Sequence, residues 1–88
     1  MKFICSAVKI LLSDGTSKII RGFRHADCWE QLPALGYSFD KNLMISGFLL
    51  EDNDKTYFVD RYEGAKIAKE LGYKLEYNKV LYSEDIWP

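Results

Sequence analysis

The chain has 88 residues, 48% of them hydrophobic and 15% aromatic, with 12 basic and 13 acidic side chains and a net charge of −1. That is one domain's worth of chain, too apolar for a disordered segment and long enough to bury a core without disulfide staples. Nothing is globally basic, so a nucleic acid, which needs a cationic face to neutralise its phosphates, is not an expected partner.

Residues 3–12, FICSAVKILL, are aliphatic and β-branched and read as a strand. Ile4, Val8, Ile10 and Leu12 share one face by alternation, with Ser6 the exception. The run carries Ser6 and Lys9 and ends at a turn, so it does not read as a secretory leader. No apolar stretch approaches the ~20 residues a bilayer crossing requires. A cytoplasmic protein with no membrane partner is expected. Asp14-Gly15 suits a tight hairpin turn, which needs positive φ, and residues 17–23, SKIIRGF, form the return strand.

Residues 25–35, HADCWEQLPAL, predict a helix opened by Asp27 or His25 and closed by Gly36. Trp29, Leu32 and Leu35 make its apolar stripe, and Pro33 predicts a kink or a split. Residues 37–46 connect, with a short helical turn near Asp40 to Leu43. Residues 47–51 and 56–59 flank Asp52-Asn53-Asp54-Lys55, a second hairpin signal. Asp60 and Glu63 form a capping box that opens a helix over about 61–71. Its inward stripe is Tyr62, Ala65, Ala68 and Leu71; Lys66 and Glu70 lie on the wet face, and Gly72 ends it. The tail holds a strand-like piece from Tyr77 to Tyr82, then Ser83-Glu84-Asp85-Ile86-Trp87.

Together these elements predict a single α+β domain over 1–88: a small antiparallel sheet of two hairpins, two short helices and a C-terminal strand and turn. The halves read as a ββα–ββα pseudo-repeat, each closing on Leu-Gly-Tyr at 35–37 and 71–73. That tripeptide fits duplication, and it equally fits ordinary helix-exit grammar. Either way, both helices begin at the end of a hairpin, where their N-terminal amides face one region of space.

Three polar clusters are candidates for chemistry. Arg24, His25 and Asp27 stand at a strand-to-helix junction, where free amides and a partial positive charge suit anions; Arg24 adds a donor fork and His25 a proton shuttle. The bland alternative has Asp27 capping, His25 satisfying a backbone group and Arg24 pairing with an acid. Asp60, Arg61 and Glu63 open the second helix. The capping box accounts for the two acids, whereas Arg61 is badly placed for the helix dipole, which predicts a tertiary or external partner. Ser83, Glu84 and Asp85 read as a third helix start with Ser83 as cap, and Trp87 as docked on the core or on a partner. Cys5 and Cys28 have no metal or redox spacing, so no metal and no cofactor is expected. No P-loop, GxGxxG, HExxH or GxSxG occurs, and one His with scattered acids defines no catalysis.

Arg24-His25 with Asp27, Leu35-Gly36, Gly47-Phe48, Phe58-Val59-Asp60-Arg61 with Glu63 and Ala65, Ile67-Ala68, Gly72 and Leu81 to Trp87 form one ordered set of motif pieces. On these pieces, residues 20–87 resemble a family of small accessory proteins of bacteriophages and prophages. Gly64, Tyr73 and Pro33 depart from that pattern. The resemblance implies a phage-borne accessory protein and no settled reaction.

Two functions are weighed, beside a third reading as a structural virion or assembly component that would form stable oligomers. One is a binding protein that antagonises or modulates a host bacterial system, such as an antiviral defence, through a host protein or a small ligand. Tyr37, Tyr57 and Trp87 would anchor it. DNA mimicry by Glu51, Asp52 and Asp54 is a variant that Lys55, Lys66, Lys69 and Lys74 interrupt. The alternative is a nucleotide- or phosphate-binding domain, extending to a weak phosphodiester hydrolase. There Arg24 and Arg61 grip oxygens, His25 is acid/base, and Glu84 or Asp85 orients it.

Overall fold

The structure, a computed structural model, describes residues 1–38 and 41–88. Strands β1 (Lys2–Leu11), β2 (Ser17–Gly22), β3 (Leu43–Asp52) and β4 (Lys55–Asp60) form one antiparallel sheet in the order β2-β1-β3-β4. Helices α1 (His25–Leu35), α2 (Arg61–Glu70) and α3 (Ser83–Ile86) complete an α+β domain. Among the described residues no helix is long and apolar enough to cross a membrane.

The hairpin turns follow from local chemistry. Asp14 accepts hydrogen bonds from the Thr16 amide (2.9 Å) and hydroxyl (2.6 Å), beside Gly15 at φ 87°. Asn53 and Asp54 both take positive φ, the two-residue turn whose twist matches its strands. Strand β3 begins at Leu43, four residues before the sequence expectation; the helical turn foreseen near Asp40 to Leu43 falls partly outside the described residues, and the Lys41 and Asn42 amides donate back to the Ser38 carbonyl.

Register decides which side chains are buried. A β-bulge between Phe3 and Cys5 shifts the alternation of β1. Phe3, not Ile4, enters the core, and Ser6 lies on the same buried face as Val8 and Ile10. All three helices cover this face. Helix α1 packs Cys28 and Leu32 onto Val8, Ile10 and Ile20. Helices α2 and α3 pack Ala65, Ala68 and Ile86 onto Phe3, Phe48, Leu50 and Val59, with Leu81.

Both helices are rotated from the expected stripes. Leu35, Tyr62 and Leu71 face solvent, and Trp29 is half-buried. The inward positions are His25, Cys28 and Leu32 on α1, and Gly64, Ala65 and Ala68 on α2. Gly64 is inward because Leu81 Cδ2 lies 3.1 Å from where its Cβ would be, so a small residue lets α2 press onto the C-terminal segment. Lys66 and Glu70 face solvent. Helix α1 runs unsplit through Pro33, which sits only three residues from the Gly36 cap, in the last turn.

Leu-Gly-Tyr performs the same task twice. The Tyr37 amide donates to the Leu32 carbonyl and the Gly36 amide to that of Pro33; Tyr73 with Ala68 and Gly72 with Lys69 repeat the pattern. Both are Schellman exits. Residues 77–82 form no strand; Tyr77 and Val80 make an isolated bridge before α3.

Candidate functional site

Register places the two helix starts together. Arg21 pairs with Ala7, Ala7 with Gly47, and Gly47 with Asp60, so these four residues form one row across the sheet. Strands β2 and β4 end at or beside this row, and α1 and α2 begin there. The first helical residues, His25 and Arg61, are therefore neighbours although 36 positions apart in the chain.

The C-terminal segment fills the space between them. The Leu81 amide donates to the Arg61 carbonyl (3.0 Å). Ser83, fully within the protein, has its hydroxyl 2.9 Å from His25 Nδ1 and 2.6 Å from the Ser6 hydroxyl. His25 Nε2 lies 2.7 Å from the Gly47 carbonyl oxygen. A carbonyl only accepts, so Nε2 carries the proton and Nδ1 presents a lone pair. Ser83 then donates to Nδ1, and Ser6 donates to Ser83. The result is a one-way chain of hydrogen bonds, Ser6 to Ser83 to His25 to Gly47. The Phe23 carbonyl, 3.2 Å from the Ser6 hydroxyl, is a second acceptor for the same proton. Burial lowers the His25 pKa, the Gly47 bond raises it, nearby Arg61 lowers it further and Glu84 raises it, for a net depression. The imidazole is neutral at neutral pH.

Arg61 has the tertiary partners its position required. Nε donates to Ser46 Oγ (2.8 Å), Nη1 donates to the Leu81 carbonyl (2.9 Å), and the guanidinium lies over the Tyr82 ring. It clamps β3 and the C-terminal segment to the start of α2. Asp60 caps α2, accepting from the Tyr62 and Glu63 amides. Asp27 accepts from the Arg24 amide, so it caps α1 from the third helical position while Arg24 is the N-cap residue. Asp85 does the same for the Tyr82 amide of α3 and also takes the Glu76 amide. Ser83 is thus the first residue of α3 and not its cap. Glu84 is exposed, near enough to both His25 and Arg61 to favour their charged forms.

Of the expected set, His25, Arg61 and Ser83 converge, with Glu84 at the rim; Asp27 and Asp85 are absorbed by capping. Arg24 stands over the Phe23 ring, and its Nη1 is enclosed with no hydrogen-bond partner among the described residues. Trp87 docks on the core, 6.0 Å from the Phe23 ring and 6.4 Å from Phe48. Sequence reasoning missed Ser6 and Ser46. The one available signal was that Ser6 broke an otherwise apolar face.

This arrangement is a polar seam between two hydrophobic clusters, and it locks the C-terminal segment onto both helices. It does not activate a nucleophile. Ser83 is buried, the second imidazole nitrogen is spent on a backbone carbonyl, and among the described residues no acid is hydrogen-bonded to the ring. Cys28 is equally inert, since burial pushes its thiol up to about 11.

A different surface is open. Tyr62, Tyr77 and Tyr82 are exposed along α2 and the segment before α3, and the last two rings touch at 5.6 Å. Beside them Tyr62, Ala65, Lys66, Lys69, Asn78 and Lys79 line a cavity of about 250 Å³ with three lysines and no acid. The chain matches no protein-family model, no curated protein and no solved structure.

Proposed function

We propose that this is a phage-type accessory binding protein that acts in the host bacterial cytoplasm. It antagonises or modulates a host system, such as an antiviral defence, by covering an acidic surface of one of that system's proteins. The observation that carries this reading is the tyrosine and lysine face of α2 and residues 77–82. Tyrosines contribute large contact area at low entropic cost, and lysines with no acid among them select a negative partner. The motif pieces on which residues 20–87 resemble phage accessory proteins support the reading in another way. Many of their polar residues are occupied in holding the fold, which fits a binding scaffold better than a catalyst. The expected anchors change accordingly: Tyr62, Tyr77 and Tyr82 take the place of Tyr37, half-buried on the core, and of Trp87, while Tyr57 is exposed on β4 outside this face.

The test is photo-crosslinking from position 77 in a bacterial lysate, identification of the captured protein, and titration of that protein. Lys66→Glu with Lys69→Glu is expected to weaken binding at least about tenfold, or ~1.4 kcal/mol. Equal affinity of this variant and wild type overturns the reading.

The second reading, a nucleotide or phosphate site, rests on the unpartnered Arg24 Nη1. It expects thermal stabilisation by nucleotides, cyclic nucleotides or inorganic phosphate, lost in Arg24→Gln. No stabilisation of wild type, with or without divalent metal, rules it out.

A further inference from the structure

By register the sheet face opposite the helices has an apolar centre of Cys5, Ala7, Ile45, Leu49 and Phe58, with Lys9 beside it and Lys2, Glu51, Thr56, Ser17, Arg21 and Asp60 around its margins. No helix covers it. Its middle is apolar and largely shielded by its own neighbours: Ala7 and Leu49 are buried, and Phe58 folds its ring over Gly47. Ile19 and Leu43 stand exposed at its end. Antiparallel sheets tolerate one wet face, but that face is then ordinarily polar throughout, whereas this one is polar chiefly at its margins and apolar at its centre.

We infer that a second copy of this chain covers this face, the two sheets packing against each other about a two-fold axis that runs along the strands. The argument is the placement of charge. In the row Arg21–Ala7–Gly47–Asp60 one edge is cationic and the other anionic. A two-fold along the strands keeps rows level and exchanges edges. Each Arg21 then stands over Asp60 of the other copy, and this happens twice. At that edge lies an open depression of about 380 Å³ lined by Lys9, Ile45, Phe58, Val59, Asp60 and Glu63. Asp60 uses one carboxylate oxygen to cap α2, and exposed Glu63 adds a second negative group. Lys9 lies with its ammonium 5.9 Å from the centre of the Phe58 ring, so its stem adds to the apolar floor.

Area is consistent with this. Strand spacings of ~4.8 Å and rises of ~3.3 Å per residue give the sheet a footprint of about 500 Å². Two such faces project ~1,000 Å², the lower limit for a specific association, and the surface actually removed from solvent is that of the rims and of exposed Ile19 and Leu43. A dimer of this kind leaves both tyrosine and lysine faces pointing outward. It stands independently of the reading proposed for that surface.

Sedimentation equilibrium of the full chain tests the inference. Wild type is expected to dimerise. Arg21→Glu and Glu63→Arg are each expected to raise the dimer dissociation constant at least about tenfold. The double variant, in which the acid introduced at 21 meets the cation introduced at 63 although Asp60 stays negative, is expected to recover part of the loss. Circular dichroism and thermal melts confirm that each variant is folded. A monomeric wild type at hundreds of micromolar overturns the inference, as does a double variant no better than the singles. A wild-type monomer whose sheet-face resonances shift only on adding another protein assigns the face to a different partner, and likewise overturns it.

Discussion

Replacing Ser83 with alanine removes the middle member of the buried chain. His25 Nδ1 loses its donor at 2.9 Å, and Ser6 loses its acceptor at 2.6 Å. Ser6 keeps the Phe23 carbonyl as a fallback, whereas Nδ1 has none in this chain of bonds. Each hydrogen bond is worth ~1 kcal/mol net, and an orphaned buried acceptor costs ~1–3 kcal/mol. The expected loss is therefore about 2–3 kcal/mol, against a total of ~5–15 kcal/mol for a domain. Urea denaturation followed by tryptophan fluorescence reads it directly, since Trp87 reports the docked tail. The melting temperature should fall by ~8–24 °C at ~4–8 °C per kcal/mol. Ser6→Ala should cost less, about 1 kcal/mol, because the Ser83-to-His25 bond survives. Equal costs for the two variants, or a Ser83→Ala cost below ~0.5 kcal/mol, typical of a surface change, would refute the one-way chain.

The remaining expectations concern pH, one glycine and the clamp. The depressed folded-state pKa of His25 means that the unfolded chain binds the proton more readily. Its stabilising contribution is complete above the unfolded value of ~6.5 and is lost as pH falls toward the folded value, with a slope of at most ~1.4 kcal/mol per pH unit. Urea midpoints between pH 8 and 5 should show this slope in wild type and lack it in His25→Gln. Gly47→Ala should cost more than ~3 kcal/mol or abolish folding, because the new methyl meets the Val59 carbonyl, with Phe58 Cζ at 2.7 Å and Asp60 Cα at 2.9 Å. A folded, wild-type-like Gly47→Ala would contradict the register of β3 and β4. Arg61→Lys keeps the charge and loses the fork that spans Ser46 and Leu81, so it should destabilise by about 1–2 kcal/mol and raise proteolysis of the C-terminal segment.

The local grammar of this chain was legible before any fold was known. Asp14-Gly15, the Asp60 cap, and the Gly36 and Gly72 exits depend on contacts within a few residues, and all appear where expected. Four strands in two hairpins and two helices followed from periodicity. The position of Arg61 announced a tertiary partner, because a cation at a helix start gains nothing locally.

What only the tertiary structure decided is where polar side chains go when their partners are far along the chain. Ser83 meets His25 across 58 positions and Ser6 across 77. No spacing rule links such residues, and a single bulge after Phe3 settles which side of β1 is buried. The helix faces were misjudged for a related reason. Gly64 points inward only because Leu81 returns from the C-terminal segment to lie against it, so the inner surface of α2 is defined by a neighbour and not by its own hydrophobicity. Short-range hydrogen bonds are written in adjacent residues, whereas burial is set by whatever the completed fold places opposite each side chain.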